Sequence, residues 1–527
     1  MKYFGYTLDS MSKNNEKKDF IKINNANQFE VNLNYLTGDK EKRKIDYTIG
    51  IYMFIPRNLG INQATYSKAD FYGDFVSYIR LITPKNDLKN IHTKMRGVLS
   101  EIGSHPNDPD HNSAPSSRLK ILLCSYLTCL RDFVDNIRGM GGEIDTQRIK
   151  TFLDDIRTLQ DIKLTLLSIK TKSRDETLLF LLDASAEYLS RSTQHYLFEL
   201  NVHLSSFGDR YTAQINEIVK QINRELKFCR QEDYPIISND EFTNEKVIFR
   251  YGFLKKFFYD VLLLHQNKKE DSKGIKEMYY AMAAGISMVF TTLVVFATQK
   301  EYGNFTLSFF AALVISYMFK DRIKEAYRHY FDKKLTFKTF DFREKIYDPD
   351  KKTLFASTRE RFRFVDKSML REEIVTARLK DTSDRLSSWY TGEDILRYGK
   401  LVSLHNKNLQ KHYNNRVNGI HNIMRFDITR LLRKMDSRKV PLHRINEGKL
   451  YGDKVYHLNL VVSFESREKK VFHKVRIILT KKGIKRIELP GLGMKILRRH
   501  TPQEEAGWFP VKKSGLIKQY KAPHEEP

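Results

Sequence analysis

The rhythm of apolar and polar positions changes several times along the chain, and each change predicts a different element. Within residues 19–56, "FEVNLNYL" and "IDYTIGIYMFI" alternate with period two, as half-buried strands do. The charged run "TGDKEKRK" between them predicts a β-hairpin, or two neighbouring strands with a solvated loop. Ser67 to Thr83 is mixed, and a helical pattern follows through Gly103. Gly103 to Ser117 holds three prolines among Asn, Asp and Ser, which predicts a loop. From Arg118 to about Phe228 the apolar positions recur at helical spacing, as at Leu122, Leu123, Tyr126, Leu127, Leu130, Phe133, Val134 and Ile137, until Gly139, Gly141 and Gly142 interrupt them. A helical bundle is the expected product. A further amphipathic helix is expected over Lys246 to His265.

Two long uncharged runs then appear. Met278 to Thr298 is 21 residues and Tyr302 to Phe319 is 18, with the polar turn "QKE" between them. About 20 apolar residues cross a hydrocarbon core, and 17–18 is near the lower limit. The pattern predicts a transmembrane helical hairpin. Its flanks carry Lys268, Lys269, Lys273 and Lys276 before it, and Lys320, Arg322, Lys324 and Arg328 after it. The positive-inside rule places both flanks, and hence both termini, on the cytoplasmic side of an inner membrane. Neither run holds an Asp, Glu, Lys, Arg or His, which suits an anchor better than a transporter. A pore formed by several copies would have to use Thr291, Thr292 or Ser308, hydroxyls that more often bond their own helix.

Beyond the second run the helix is expected to continue through "KDRIKEAYRHYFDKK", followed by a strand at "LTFKTF". Ile420 to Met435 places Ile420, Ile423, Met424, Ile428, Leu431 and Met435 on one arc and predicts a basic amphipathic helix. "KVYHLNLVVSF", "KVFHKVRIILT" and "IKRIEL" predict an antiparallel meander. The fold class expected is an α+β membrane protein. It has a mixed N-terminal region (1–103), a cytoplasmic helical region (118–273), the transmembrane hairpin (274–319) and a basic cytoplasmic α+β domain (320–527).

Charge sharpens this picture. The net charge is +27, and from Lys320 onward Lys and Arg outnumber Asp and Glu 49 to 26. The basicity therefore belongs to the portion following the hairpin and calls for an anionic partner or surface. Arg425, Arg430, Arg433 and Lys434, off the apolar arc of the expected helix, are the candidate contacts with anionic lipid. Candidate chemistry is sparse. His105, Asp108, Asp110 and His111 are close in sequence but read as an exposed linker. "PGLGMK" (Pro490–Lys495) lacks the form of a phosphate-binding loop. Cys124, Cys129 and Cys229 give no disulfide framework, and Cys124 and Cys129 would lie roughly 140° apart on a helix. No catalytic motif is present, and no cofactor or metal is expected. The function expected is an anchor holding cytoplasmic domains that bind or scaffold partners at the inner leaflet. The partners expected are anionic lipid, a protein, and a second copy through the hairpin. The alternatives are a membrane-associated enzyme with a site built from distant residues, or a membrane-tethered nucleic-acid binder.

Overall fold

The computed structural model describes residues 20–37, 42–84, 86–139, 144–271, 273–303, 306–349, 352–379, 392–412, 417–444, 448–467, 469–489 and 495–498. In chain order the first elements are strands β1 (Ile21–Asn25), β2 (Gln28–Leu36) and β3 (Ile45–Pro56), helix α1 (Lys68–Asp74) and strand β4 (Phe75–Leu81). Helices α2 (Leu88–Ser104), α3 (Pro109–Gly139), α4 (Thr146–Lys170), α5 (Glu176–Ser205), α6 (Thr212–Gln231) and α7 (Glu241–Tyr259) follow. Next come β5 (His265–Glu270), α8 (Lys273–Tyr302), α9 (Leu307–Lys338), β6 (Phe342–Tyr347) and β7 (Leu354–Val365). The chain continues through α10 (Glu372–Arg378), β8 (Glu393–Leu404), α11 (Asn406–His412), β9 (Gly419–Asp427) and α12 (Thr429–Arg433). It closes with β10 (Lys439–Arg444), β11 (Gly448–Asp453), β12 (Tyr456–Glu465), β13 (Lys470–Thr480), β14 (Gly483–Leu489) and β15 (Lys495–Arg498).

The class is α+β. A nine-stranded antiparallel sheet has the order β15-β14-β13-β12-β3-β8-β7-β6-β5, and a four-stranded sheet has the order β1-β2-β9-β4. Aromatic rings fill the space between the sheets. Phe71 stacks on Phe362 at 4.3 Å, Phe75 meets Tyr398 at 4.8 Å, and Tyr35 lies against Tyr47 at 5.4 Å. The meander predicted over β12, β13 and β14 is present, and β15 extends it. The helices from α3 to α6 form where the helical spacing placed them, and α3 stops at Gly139. Aspartates start four bundle helices: Asp87, Asp145, Asp175 and Asp240 each accept backbone N–H bonds in the first turn, which satisfies donors that the helix itself cannot.

Five expectations need correction. β2 and β3 are strands, but they do not pair. β2 lies between β1 and β9, while β3 lies between β8 and β12. The run Ile49–Ile55 is buried on both faces, the mark of a central strand that needs partners on two edges. The two ends of the chain, expected as separate regions, therefore share both sheets. Gly103–Ser117 is mostly helix, because Pro109 takes the first helical position of α3, where no N–H partner is required. Pro115 sits further in, buried. "LTFKTF" is not a strand, since α9 runs to Lys338 and β6 begins at Phe342. Finally, Ile420–Met435 is mainly strand β9, with only the short helix α12 after it. Inward-facing Ile420, Asn422, Met424 and Phe426 alternate there. The polar Asn422 inside and the apolar Ile423 outside disguised period two as a helical arc.

Both large insertions leave and rejoin the sheets at one place. The bundle departs after β4, and Leu264 returns its N–H to the Ile79 carbonyl of β4 at 3.1 Å. The α8–α9 pair departs after β5 and returns as β6, which is hydrogen-bonded to β5 from Glu270↔Phe342 to His265↔Tyr347.

Candidate functional site

The α8–α9 pair is built from the longest apolar run in the chain. α8 is one helix long and apolar enough to cross a membrane, with a mean hydropathy of 1.9 over its best window, of which only 11% is buried. A core helix of comparable hydropathy would be covered by protein. Here Met278, Leu293 and Phe296 are 56%, 63% and 64% exposed, an apolar surface far beyond what water-facing helices carry. α8 ends at Gly303, whose φ of +71° suits glycine, and whose N–H donates to the Gln299 carbonyl at 3.1 Å. α9 then returns antiparallel. Small and hydroxyl residues line the seam, with Ala283, Ser287 and Ser316 buried in it. The hydroxyls of Ser287, Thr291, Thr292 and Ser316 bond carbonyls of their own helix at 2.8–3.2 Å.

The second helix differs from the first. Its uncharged portion inside the helix runs only from Leu307 to Phe319, shorter than the roughly 17 residues a span needs. Tyr279 stacks on Phe331 at 4.6 Å, and the Arg328 guanidinium lies 4.4 Å from the Tyr280 ring. Carried along the antiparallel helices, the register of these contacts brings Lys320 level with Met288–Phe290 of α8. Lys320, Asp321, Arg322 and Lys324 thus run alongside an apolar stretch of α8. The length over which both helices are uncharged is about 20 Å at 1.5 Å per residue.

At the root of the pair, four adjacent strands carry a row of charges on the face that meets the four-stranded sheet. Lys268 of β5 lies opposite Glu344 of β6, and Glu360 of β7 lies opposite Lys400 of β8. Lys400 Nζ is 2.9 Å from Glu360 Oε1 and 3.9 Å from Glu344 Oε2, and Lys268 Nζ is 3.0 Å from Glu360 Oε2. Lys400, Glu360 and Glu344 are all buried. The network crosses to the other sheet. Lys400 donates to Ser77 Oγ at 3.4 Å, Ser77 to Asn422 Oδ1 at 2.7 Å, and Asn422 Nδ2 to the Tyr35 hydroxyl at 3.0 Å. Burial alone would pull the Lys400 pKa down, but Glu360 and Glu344 outweigh it and hold it above the usual lysine range. Glu360 is held below its ordinary value because Lys400 and Lys268 outweigh its burial, whereas burial pushes Glu344 up. A buried lysine among carboxylates can serve acid–base chemistry only if a substrate reaches it. A cavity of about 20 Å³ nearby is lined by Met53, Phe71, Phe426 and Leu431 and by none of the charged groups. It has room for about one water. The row is a structural lock that ties the base of α8 and α9 to the core.

The residues singled out from sequence are scattered. Arg425 on β9 is bound to Glu30 at 2.5 Å, and Arg430 is bound to Asp70 at 2.8 Å and Asp74 at 3.1 Å. Arg433 and Lys434 are exposed. The four do not form one helical face. His105 and His111 lie 4.6 Å apart by ring centroids around the start of α3, and Asp108 accepts the His111 backbone N–H. Cys124 and Cys229 are buried, and Cys129 is half-buried. Of "PGLGMK", Pro490 to Met494 lies outside the described residues. Sequence reasoning missed the charged row. Lys268, Glu344, Glu360 and Lys400 stand at alternating positions of strands far apart in sequence, and only the strand register brings them together.

No family model matches the chain, and no curated protein matches it. Among solved structures, a de novo designed 16-helix transmembrane nanopore, TMHC8_R, aligns with 11% identity over 47% of this chain and 80% of its own. The TM-score of 0.23 is too low to carry an argument.

Proposed function

We propose that this is an integral membrane protein in which α8 and α9 form an anchoring hairpin. The large α+β body stays on one side and binds or scaffolds partners at the inner leaflet. The observation that supports this best is α8, apolar yet barely covered by protein. The paired uncharged length of about 20 Å falls short of a typical 30 Å hydrocarbon core. On this reading the bilayer thins locally while Lys320 and Lys324 extend their stems toward the headgroups. Tyr279, Tyr280, Tyr317, Tyr327 and Tyr330 supply the interfacial aromatic residues that such helices use. Lys273, Lys276, Arg322 and Arg328 face anionic lipid, with exposed Arg433 and Lys434 as further candidate contacts. The charged row makes the anchor rigid, because β5 and β6 enter the core directly from the two helices.

Carbonate extraction of membranes should leave the full chain in the pellet. A cysteine in place of Lys300 should react with an impermeant maleimide from outside intact cells, whereas one in place of Glu325 should react only after lysis. Release of the chain by carbonate would refute membrane integration, and labelling of both positions from the same side would refute the crossing.

A further inference from the structure

Strands β10 and β11 stand apart from both large sheets and, among the described residues, pair only with each other. Their register sets Val440 opposite Gly452 and Leu442 opposite Leu450, so these residues share one face. Leu442 leans across Gly452, where an added Cβ would meet its Cδ1 at 3.4 Å. The other face carries Lys439, Pro441, His443, Lys449 and Tyr451. Val440, Leu442, Leu450 and Tyr451 are all exposed. A lone two-stranded hairpin is marginally stable in water, and a contiguous apolar face marks a place that something covers. Pro441 and the lysines on both strands deter pairing with a strand of another protein.

The fold places this hairpin at the end of the two packed sheets from which α8 and α9 leave. Phe342, where β6 begins after α9, meets the Tyr72 ring of α1 at 4.7 Å, and Asp341 is bound to Lys68 and Tyr72. α1 in turn holds α12 through the pairs of Arg430 with Asp70 and Asp74. The base of the hairpin is pinned by Asp436, whose N–H donates to the Tyr456 hydroxyl at 3.2 Å and whose carboxylate is 3.4 Å from Lys454 Nζ. Basic residues gather there. Arg433, Lys434, Arg438, Lys439, Lys481 and Lys482 are exposed, and Lys481 Nζ donates to the Arg433 carbonyl at 2.8 Å. The reach also fits. Past Phe319, α9 runs on to Lys338, about 28 Å at 1.5 Å per residue, and strands of 6 residues give the hairpin a length of about 20 Å. We propose that the β10–β11 hairpin is a second membrane contact, laying Val440, Leu442 and Leu450 on the headgroup–acyl boundary of an anionic leaflet. Lys439, Lys449 and Tyr451 then lie among the headgroups, where basic and aromatic side chains are favoured. This contact rests on the reading of α8 and α9 as a membrane anchor, and it specifies where the body docks.

The test uses the full chain in nanodiscs of phosphatidylcholine and phosphatidylserine. Cys124 and Cys229 are buried; with Cys129→Ser as background, one cysteine at a time carries a nitrobenzoxadiazole probe. Leu293→Cys reports α8 and Leu450→Cys reports the hairpin. Lys44→Cys reports water, because it precedes β3, whose other end lies beside the start of β12. Nitroxide-labelled lipid should quench the probes at Leu293 and Leu450 and spare the one at Lys44. At Leu450 a nitroxide near the headgroup should quench more than one deep in the acyl chain. Val440→Ser/Leu442→Ser with the same probe should lose this quenching. Lys439→Gln/Lys449→Gln should weaken docking about fivefold per lysine, and so should omission of phosphatidylserine. Melting in detergent reports that each variant is folded. Quenching at Leu293 without quenching at Leu450 overturns the hairpin contact and leaves the anchor standing, whereas quenching at neither removes both. A Leu450 probe shielded from water but untouched by labelled lipid assigns the face to a second copy or another protein. Equal quenching in the folded serine variant means that the probe inserts by itself. Either result overturns the contact.

Discussion

The two faces of the nine-stranded sheet treat positive charge in opposite ways. On the inner face Lys400, fully enclosed, has two glutamates within 4 Å and reaches a hydroxyl of the facing sheet. On the outer face, three residues along the same strands, Arg363 and Arg397 oppose each other. The difference lies in what each face must exclude. A buried charge left unpaired costs several kcal/mol, so the inner row had to be balanced by the chain itself, strand by strand. The half-buried outer arginines retain some water, which screens them from one another. Strict charge balance is therefore demanded of the enclosed inner face, whereas the partly hydrated outer face tolerates like charges side by side.

The sharpest way to break this comparison is to remove Lys400. Lys400→Met leaves Glu360 and Glu344 enclosed with only Lys268 to share, and it should cost about 3–5 kcal/mol of unfolding free energy. A denaturant titration in detergent reads this directly. Lys400→Met combined with Glu360→Leu should recover much of the loss, since a buried pair replaced by apolar residues is often close to neutral. A single variant within 1 kcal/mol of wild type would show that the inner row is not the lock described here.

A smaller effect separates the two glutamates. Glu360 is depressed by Lys400 and Lys268, so its contribution is present above the unfolded carboxylate pKa of about 4.3 and is lost as pH falls through its lower folded value. Glu344 is raised by burial, so the sign reverses. Its contribution is present below the unfolded pKa and is lost as pH rises through the folded value. Glu344→Gln should therefore flatten the dependence of stability on pH just above the ordinary carboxylate range. Glu360→Gln should destabilise at neutral pH and flatten the acid limb. Identical pH profiles for the two variants would contradict the opposed assignments.

How legible each feature was in sequence follows from where its signal lies. The apolar run of α8 is contiguous, and the meander β12–β14 alternates locally, so both could be read from neighbouring residues. The bundle helices announce themselves by spacing and by starting aspartates. β9 could not be read in this way, because Asn422 is buried for the sake of a hydrogen bond to Tyr35 on another strand. The partners of β3 lie hundreds of residues away, and nothing in "IDYTIGIYMFI" names them. Neither the charged row nor the arginine cluster exists in one dimension. Each needs the register of β7 against β8, which places Glu360 at Lys400 on one face and Arg363 at Arg397 on the other.

The smallest expected effect tests the outer face. Arg397→Gln removes one repelling charge, a gain of roughly 0.2–1 kcal/mol for a cross-strand pair. It also removes the contact with Tyr52, a loss of about 0.5–1 kcal/mol for an exposed cation–π pair. The two nearly cancel, so the variant should lie within about 0.5 kcal/mol of wild type, in contrast to Lys400→Met. Ionic strength separates the terms. Raising sodium chloride from about 0.05 to 0.5 M shortens the Debye length severalfold and screens repulsion between partly exposed arginines more than it weakens a ring contact. The wild type should gain melting temperature with salt, and Arg397→Gln should gain less. Equal salt responses would mean that Arg397 feels no net repulsion from its neighbours, and the contrast between the two faces would fall.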